Sequence, residues 1–125
     1  MKNIKINLKS TGMDLTDAIR DYVEKRVTNL GKLLSKVETE VLVEFEVAKT
    51  THHHSNAKDL FKAECRVTFS GNDYYASVQD ADLYAAIDRV KDMMFREIKR
   101  SKNRSRNLFV RGARKIKNSI KSLWQ

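Results

Sequence analysis

Two kinds of side chain in this sequence could act as metal ligands or nucleophiles: consecutive histidines and a lone cysteine. His52, His53 and His54 follow one another in a polar run, and three imidazoles with one water would suit zinc. Consecutive histidines in a loop lack a rigid frame and a partner ligand at useful spacing, so we predict no metal site. Cys65 alternates with Phe61 and Val67 on the apolar side of a predicted strand, which indicates a buried, unreactive thiol.

Paired carboxylates are another common basis for catalysis, and four glutamates recur between residues 37 and 47. They are Glu38, Glu40, Glu44 and Glu46. Glutamate at alternate positions is typical of the solvated face of a strand, and catalytic pairing would instead need carboxylates that converge. No glycine-rich phosphate-binding run occurs either. The sequence therefore predicts a protein that is not an enzyme and that uses no cofactor and no small-molecule substrate.

Positive charge is the strongest chemical signal, and it is concentrated at one end of the chain. Residues 96–125 contain 11 Lys and Arg against one acid, whereas residues 1–95 contain 14 Lys and Arg against 15 acids. This asymmetry indicates a polyanionic partner, either nucleic acid or an anionic membrane surface. A basic tail that only aids solubility is the alternative interpretation.

Cations that lie off the apolar stripes of helices can contact phosphates, which supply most sequence-independent affinity for nucleic acid. Candidates of this kind occur on two predicted helices and in the C-terminal tail. The predicted RNA-binding residues are Lys25, Arg26, Arg89, Arg96, Lys99, Arg100, Lys102, Arg104, Arg106, Arg111, Arg114 and Lys115. For each of them the alternative is an ordinary solvated helix face.

The strands that must support these helices are predicted by apolar residues at every second position. This period covers residues 3–8, 37–47, 60–69 and 74–79, with a loop at 48–58 and a tight turn at 70–73. In the segment 37–47 the valines and Phe45 would point inward and the glutamates outward. Because an acidic sheet face repels phosphate, we expect a nucleic-acid surface on the helical side or at the helix ends, and not on the open sheet face.

Apolar residues at three- and four-residue spacing predict two amphipathic helices. The first covers residues 17–30 after a cap at Thr16, and the second begins after Asp80 or Asp82. Their stripes are Ile19, Tyr22, Val23, Val27, Leu30 and Leu34, then Leu83, Ala86, Ile87, Val90, Met94 and Ile98. The order β-α-β-β-β-α predicts an α+β fold with a parallel first strand pair, antiparallel later pairs and both helices on one sheet face.

The C-terminal residues are predicted to form a separate basic tail. We expect an α+β domain at 1–102, then a polar break at 103–107 and a basic amphipathic third helix within 103–125. The sequence contains no run of about 18 apolar residues, so we predict no membrane span. The N-terminus lacks the pattern of a signal peptide, so we expect a cytoplasmic protein.

Two stretches carry a resemblance to a known family. The run DLTDAIRDYVEKRVTNL, residues 14–30, resembles the first helix of the ribosome hibernation promoting factor and ribosome-associated inhibitor family. The run DLYAAIDRV, residues 82–90, is similar to the signature at the start of that family's second helix. The resemblance covers residues 2–102 and implies a fold similar to double-stranded RNA-binding domains.

The resemblance also implies a function. Members bind the small ribosomal subunit and its rRNA between head and body, where they overlap the sites of transfer RNA and messenger RNA. The rRNA-facing residues it implies here are Lys25, Arg26, Arg96, Lys99, Arg100 and Lys102, while Asp82 and Asp88 match signature acids with capping and structural roles. A ribosome-binding translation inhibitor is thus the leading hypothesis. The alternatives are a general double-stranded RNA-binding module and a membrane-surface protein anchored by the tail through Phe109 and Trp124.

Overall fold

A computed structural model describes the backbone of residues 4–50 and 60–123, and the side chains of these ranges as far as residue 104. The three histidines lie outside the described residues. Along the chain the elements are β1 (Ile4–Thr11), α1 (Asp17–Leu33), β2 (Val41–Thr50), β3 (Leu60–Phe69), β4 (Asn72–Asp80) and α2 (Leu83–Leu123). This order confirms the predicted β-α-β-β-β-α arrangement of an α+β fold.

The four strands form one mixed sheet in the order β1-β2-β3-β4. As predicted, β1 is parallel to β2, and the β2–β3 and β3–β4 pairs are antiparallel. Ser70 and Gly71 connect β3 to β4 with φ of 49° and 78°. Two consecutive residues in the left-handed region are typical of the two-residue hairpin turns whose twist matches that of the strands.

One face of the sheet is apolar and buried. It carries Val41, Val43, Phe45 and Val47 of β2, Ala63, Cys65, Val67 and Phe69 of β3, and Ala76 and Val78 of β4. The helix stripes supply the rest of the buried residues, namely Ile19, Val23, Val27, Leu30, Leu34, Leu83, Ala86, Ile87, Val90, Met94 and Ile98. Because the opposite face of the sheet is polar, α1 and the beginning of α2 cover the same face, as predicted.

The start of β2 differs from the prediction. The strand begins at Val41, four residues later than predicted, because Val37 belongs to the exit from α1, where its N–H donates to the carbonyl of Leu34 at 3.0 Å. Thr39, predicted to point inward, is exposed and its Oγ1 lies 2.5 Å from Oγ of Ser70. Glu38 and Glu40 therefore precede the strand.

The predicted polar break at 103–107 is also wrong, because helix α2 runs without interruption from Leu83 to Leu123. This stretch of alternating Asn, Ser and Arg contains neither glycine nor proline, and its propensity cost of up to about 0.7 kcal/mol per residue is below the cost of a glycine. The chain divides into two compact units, residues 1–95 and residues 96–125. A functional boundary between residues 102 and 103 stays a prediction.

Candidate nucleic-acid interface

Capping residues fix where each helix begins and therefore where its cations lie. Thr16 caps α1, and its Oγ1 accepts a hydrogen bond from the Ile19 N–H at 3.2 Å. Asp82 caps α2, and its Oδ1 accepts from the Tyr84 N–H at 3.0 Å. Asp80 supports this cap, since its Oδ1 accepts from the Asp82 N–H at 2.9 Å. Of the two acids predicted as caps, Asp82 is the one that fills the position.

A cluster of four side chains, which we call the interhelical cluster, joins α1 to α2. It consists of Tyr22 and Arg26 of α1 and Tyr84 and Asp88 of α2. Nε of Arg26 donates to Oδ1 of Asp88 at 2.6 Å, and the Tyr22 hydroxyl donates to Oδ2 of Asp88 at 2.7 Å. Nη2 of Arg26 donates to the Tyr22 hydroxyl at 2.9 Å. The Tyr22 and Tyr84 rings meet edge to face with centroids 4.7 Å apart.

The cluster keeps its charges paired. Partial burial acts to raise the pKa of Asp88, but hydrogen bonds from Arg26 and Tyr22 outweigh it and hold that pKa below its ordinary value of 3.8. The pKa of Tyr22 is raised, chiefly by its hydrogen bond to Asp88. Arg26 is one of the predicted RNA-binding residues, and the structure places its charge against a carboxylate of the same fold.

Arg89 is paired in a similar way. Its Nη1 lies 3.1 Å from Oδ2 of Asp80 and 3.5 Å from the carbonyl of Gln79. The hydrogen bond from the Asp82 N–H and that from Arg89 lower the pKa of Asp80. Arg89 therefore ties the start of α2 to the end of β4, although most of its side chain is exposed.

Other predicted cations are open to solvent. Lys25, Arg96, Lys99 and Arg104 are exposed, and within the described part of the chain no carboxylate lies within ion-pair distance of them. Arg100 has one long contact, 3.8 Å from Nη1 to Oε2 of Glu97. Exposed pairs of this kind contribute little. Lys102 is exposed as well.

Four of these open cations share one side of α2. Arg96, Arg100 and Arg104 are separated by four residues, and Lys99 lies three residues after Arg96, which places them on one helical face. We call these four residues the basic helix face. Arg106, Arg111, Arg114 and Lys115 belong to the helical backbone of α2, and their side chains lie outside the described residues.

The open face of the sheet corrects another prediction, because it is charge-balanced and not strongly acidic. Strand pairing sets Glu44 between Asn7 and Arg66, and sets Glu46 between Lys9 and Glu64. Across the face four cations stand against four acids, namely Lys5, Lys9, Lys62 and Arg66 against Glu44, Glu46, Glu64 and Asp73.

Several of these charges contact one another directly. Nη1 of Arg66 lies 2.8 Å from Oδ2 of Asp73, and its guanidinium is 5.2 Å from the centre of the Tyr75 ring. Lys62 pairs with Glu64. A face with equal opposite charges has little net attraction for phosphate, so the choice of the helical side for nucleic acid stands on the cations that remain open.

Within the described ranges, the structure offers no reactive thiol, no metal-binding cluster and no membrane-spanning helix. Cys65 is fully buried, and burial raises the pKa of its thiol to about 12, which keeps it protonated and unreactive. No group of three or more potential ligand side chains in the described residues could hold a metal ion. No helix in the described ranges combines the length and the apolar character that crossing a bilayer requires.

The interhelical cluster was not predicted from the sequence, because Tyr22 fits the spacing of the apolar stripe of α1. A signal was present in the spacing. Tyr22 and Arg26 are four residues apart on one helix, and Tyr84 and Asp88 are four residues apart on the other. On helices that run in the same direction, equal spacing lets both residues of one pair face both residues of the other, as Tyr22 faces Tyr84 and Arg26 faces Asp88.

The fold and these surfaces can be set beside known proteins. Residues 6–106 match the family described as Sigma 54 modulation protein / S30EA ribosomal protein. The ribosome hibernation promoting factor of Azotobacter vinelandii is 30% identical over 101 residues, which are 81% of this chain and 85% of that protein. The same-named protein of Escherichia coli (strain K12) is 24% identical over 81% of this chain and 96% of its own length.

Two solved structures share the fold. The Thermus thermophilus Protein Y N-terminal domain aligns with a TM-score of 0.57 and 35% identity, over 75% of this chain and 97% of that domain. A ribosomal subunit interface protein from Coxiella burnetii aligns with a TM-score of 0.55 and 16% identity, over 78% of this chain and 97% of that one. The second likeness concerns the fold alone.

Proposed function

Because the chain belongs to the Sigma 54 modulation protein / S30EA ribosomal protein family, we propose that it is a ribosome-associated hibernation factor of the cytoplasm that silences translation without catalysing a reaction. Its curated relatives carry the name ribosome hibernation promoting factor. The finer proposal is that it binds small-subunit rRNA in the decoding channel. There it would block the sites of transfer RNA and messenger RNA by occupying them.

The observation that carries this proposal is the basic helix face. Arg96, Lys99, Arg100 and Arg104 project from a rigid helix into solvent, and three of them have no ion pair within the described residues. Phosphate contacts need long cationic side chains that reach the backbone of RNA. The helix already holds the backbone that carries these side chains in place before binding. Residues 1–95 supply almost no net charge.

Occlusion fits the rest of the molecule. A protein that blocks a channel needs affinity, volume and rigidity, and it needs no reactive group. The one thiol of the chain is buried and protonated, and the carboxylates Asp80 and Asp88 are engaged by arginines of the same fold. The remaining polar surface of the sheet is balanced in charge, which leaves α2 as the side from which polyanion binding is favoured.

Sedimentation with purified ribosomal particles tests this function. The protein should migrate with isolated small subunits and with whole ribosomes in a sucrose gradient, and migrate far less with isolated large subunits. Excess messenger RNA with initiator transfer RNA should displace it. If a free RNA duplex competes as well as small subunits do, the chain is a general double-stranded RNA-binding module. If large subunits bind equally well, the small-subunit assignment is wrong.

A further inference from the structure

The interhelical cluster pairs the charge of Arg26 with a carboxylate and occupies two of its five N–H donors. Its Nε bonds Asp88, its Nη2 bonds the Tyr22 hydroxyl, and its guanidinium carbon lies 4.3 Å from the centre of the Tyr22 ring. Both oxygens of Asp88 are engaged by α1, one by Arg26 and the other by Tyr22. A phosphate approaching Arg26 would also meet the charge of Asp88 at close range.

The geometry fixes position more than it adds stability. The side chains of Arg26 and Asp88 are 31% and 42% exposed, and ion pairs as exposed as this contribute little to folding. The buried residues of the two helix stripes, such as Val23, Val27 and Ile87, lie outside the cluster. What the two bonds to one carboxylate add is direction, because they allow one register between the helices.

Two contacts between the helices, about one helical turn apart, define that register. Tyr22 contacts Tyr84 through its ring, and Arg26 contacts Asp88 four residues further along both helices. A slip of either helix along its axis would break both contacts. The height of α1 cations relative to α2 is thereby set by Tyr22, Arg26 and Asp88.

We propose that the interhelical cluster is a positioning device for RNA binding: Arg26 acts through Asp88 to hold α1 in one register against the beginning of α2, so that α1 presents its open cation to rRNA in a fixed position. Arg26 is then a positioning residue and not a phosphate ligand. Lys25, its neighbour, is exposed and has no ion pair within the described residues, and of the two predicted RNA-binding residues on α1 it is the one left to reach a phosphate. This inference rests on the proposed function, since it concerns how that surface is held.

A matched pair of variants separates this inference from simple electrostatics. Asp88→Asn and Asp92→Asn each remove one negative charge from α2, at positions four residues apart with 42% and 53% exposed side chains. Asp92 contacts its neighbour Lys91 and takes no part in the cluster. Electrostatics alone predicts that both variants bind small subunits at least as tightly as the wild type.

The positioning role predicts opposite results for the two variants. Asp88→Asn should weaken binding to small subunits severalfold and flatten the salt dependence, because α1 no longer presents its cation in register. Asp92→Asn should bind equally or slightly more tightly. Melting curves by circular dichroism should show both variants folded at the assay temperature. If Asp88→Asn binds as tightly as Asp92→Asn, the inference is overturned.

A charge exchange provides the second measurement. Arg26→Asp and Asp88→Arg should each weaken binding, and the double exchange should recover most of the lost affinity because it restores an ion pair across the helices. If Arg26 touches a phosphate itself, the double variant stays as weak as Arg26→Asp, and the inference fails. If the wild-type protein does not bind small subunits at all, the proposed function fails and the inference falls with it.

Discussion

The two units of the chain treat their cations differently. In residues 1–95 Arg26, Arg66 and Arg89 lie against Asp88, Asp73 and Asp80 at 2.6, 2.8 and 3.1 Å. In residues 96–125 a single acid, Glu97, stands among 11 Lys and Arg, and it reaches Arg100 only at 3.8 Å. Arginine therefore serves two purposes in one small protein. Three arginines of the first unit hold elements together, whereas Arg96, Arg100 and Arg104 of the second are open to a polyanion.

The largest effect should come from reversing the available cations. Changing Arg96, Lys99 and Arg100 to Glu replaces three positive charges with three negative ones, and we expect binding to small subunits to fall by on the order of a hundredfold or more at physiological salt. The fold should persist, because all three side chains are exposed. Sedimentation measures the binding, and circular dichroism measures the fold.

A control with the same change in net charge sharpens this result. Lys5, Lys9 and Lys62 lie on the open face of the sheet, and changing them to Glu shifts the net charge equally. We expect a much smaller loss of binding, due to long-range repulsion alone. Equal losses in the two triple variants would mean that net charge, and not the basic helix face, determines affinity.

Deleting residues 103–125 should have the next largest effect. This segment contains seven Lys and Arg, namely Arg104, Arg106, Arg111, Arg114, Lys115, Lys117 and Lys121. Each cation that contacts phosphate contributes about 0.7–0.9 to the slope of log K against log salt on simple nucleic acids. We expect the slope to flatten by several units and inhibition of translation in vitro to weaken. An unchanged slope and unchanged inhibition would assign the tail a solubilising or membrane role.

The strands and helices of this fold could be predicted from local pattern, because burial on one side imposes a period on each element. Val43, Phe45 and Val47 alternate with exposed or half-exposed residues, and Val23, Val27 and Leu30 recur at helical spacing. The start of β2 could not be placed, since Val37 continues the alternation in sequence while its N–H completes the turn after Leu34. A local pattern does not show which hydrogen bond such a residue makes.

The candidate site was harder to predict than the fold. Charge and spacing identified Arg26, Arg89 and Arg96 alike, because each lies off an apolar stripe. Which of them is open depends on contacts between residues far apart in sequence, such as Arg26 with Asp88 and Tyr22 with Tyr84. The pairing of charges on the open sheet face likewise depends on strand register, which brings Arg66 beside Glu44.

Single substitutions compare one available arginine, Arg96, with one paired arginine, Arg89. Arg96→Ala should weaken small-subunit binding a few-fold and lower the salt slope by about 1. Arg89→Ala should leave the slope unchanged, because its charge is directed at Asp80 and the Gln79 carbonyl. Both residues are exposed on α2, so the pair differs mainly in the carboxylate partner. A slope change in Arg89→Ala as large as in Arg96→Ala would contradict the division between paired and available cations.

Low pH should weaken the ion pairs that Asp80 and Asp88 form in the first unit. Asp80 and Asp88 have folded-state pKa values below the ordinary 3.8, so their contribution to stability is present above that pH and is lost as pH falls through the folded-state values. The melting temperature of the wild type should therefore fall as pH drops below about 4. The melting temperature of Asp88→Asn should fall less steeply with decreasing pH. If it falls as steeply as that of the wild type, protonation of Asp88 is not linked to folding.

The smallest effect should come from the acids that face away from RNA. Glu40 and Glu44 are exposed, and Glu44 lies on the open face of the sheet opposite the buried valines of β2. Changing both to Gln removes two negative charges without disturbing the core. Since nearby negative charge repels phosphate over roughly a Debye length of 8–10 Å, binding to small subunits should stay constant or tighten by less than about twofold. A clear loss of affinity in a folded variant would place RNA against the sheet, and it would reverse the orientation that the basic helix face implies.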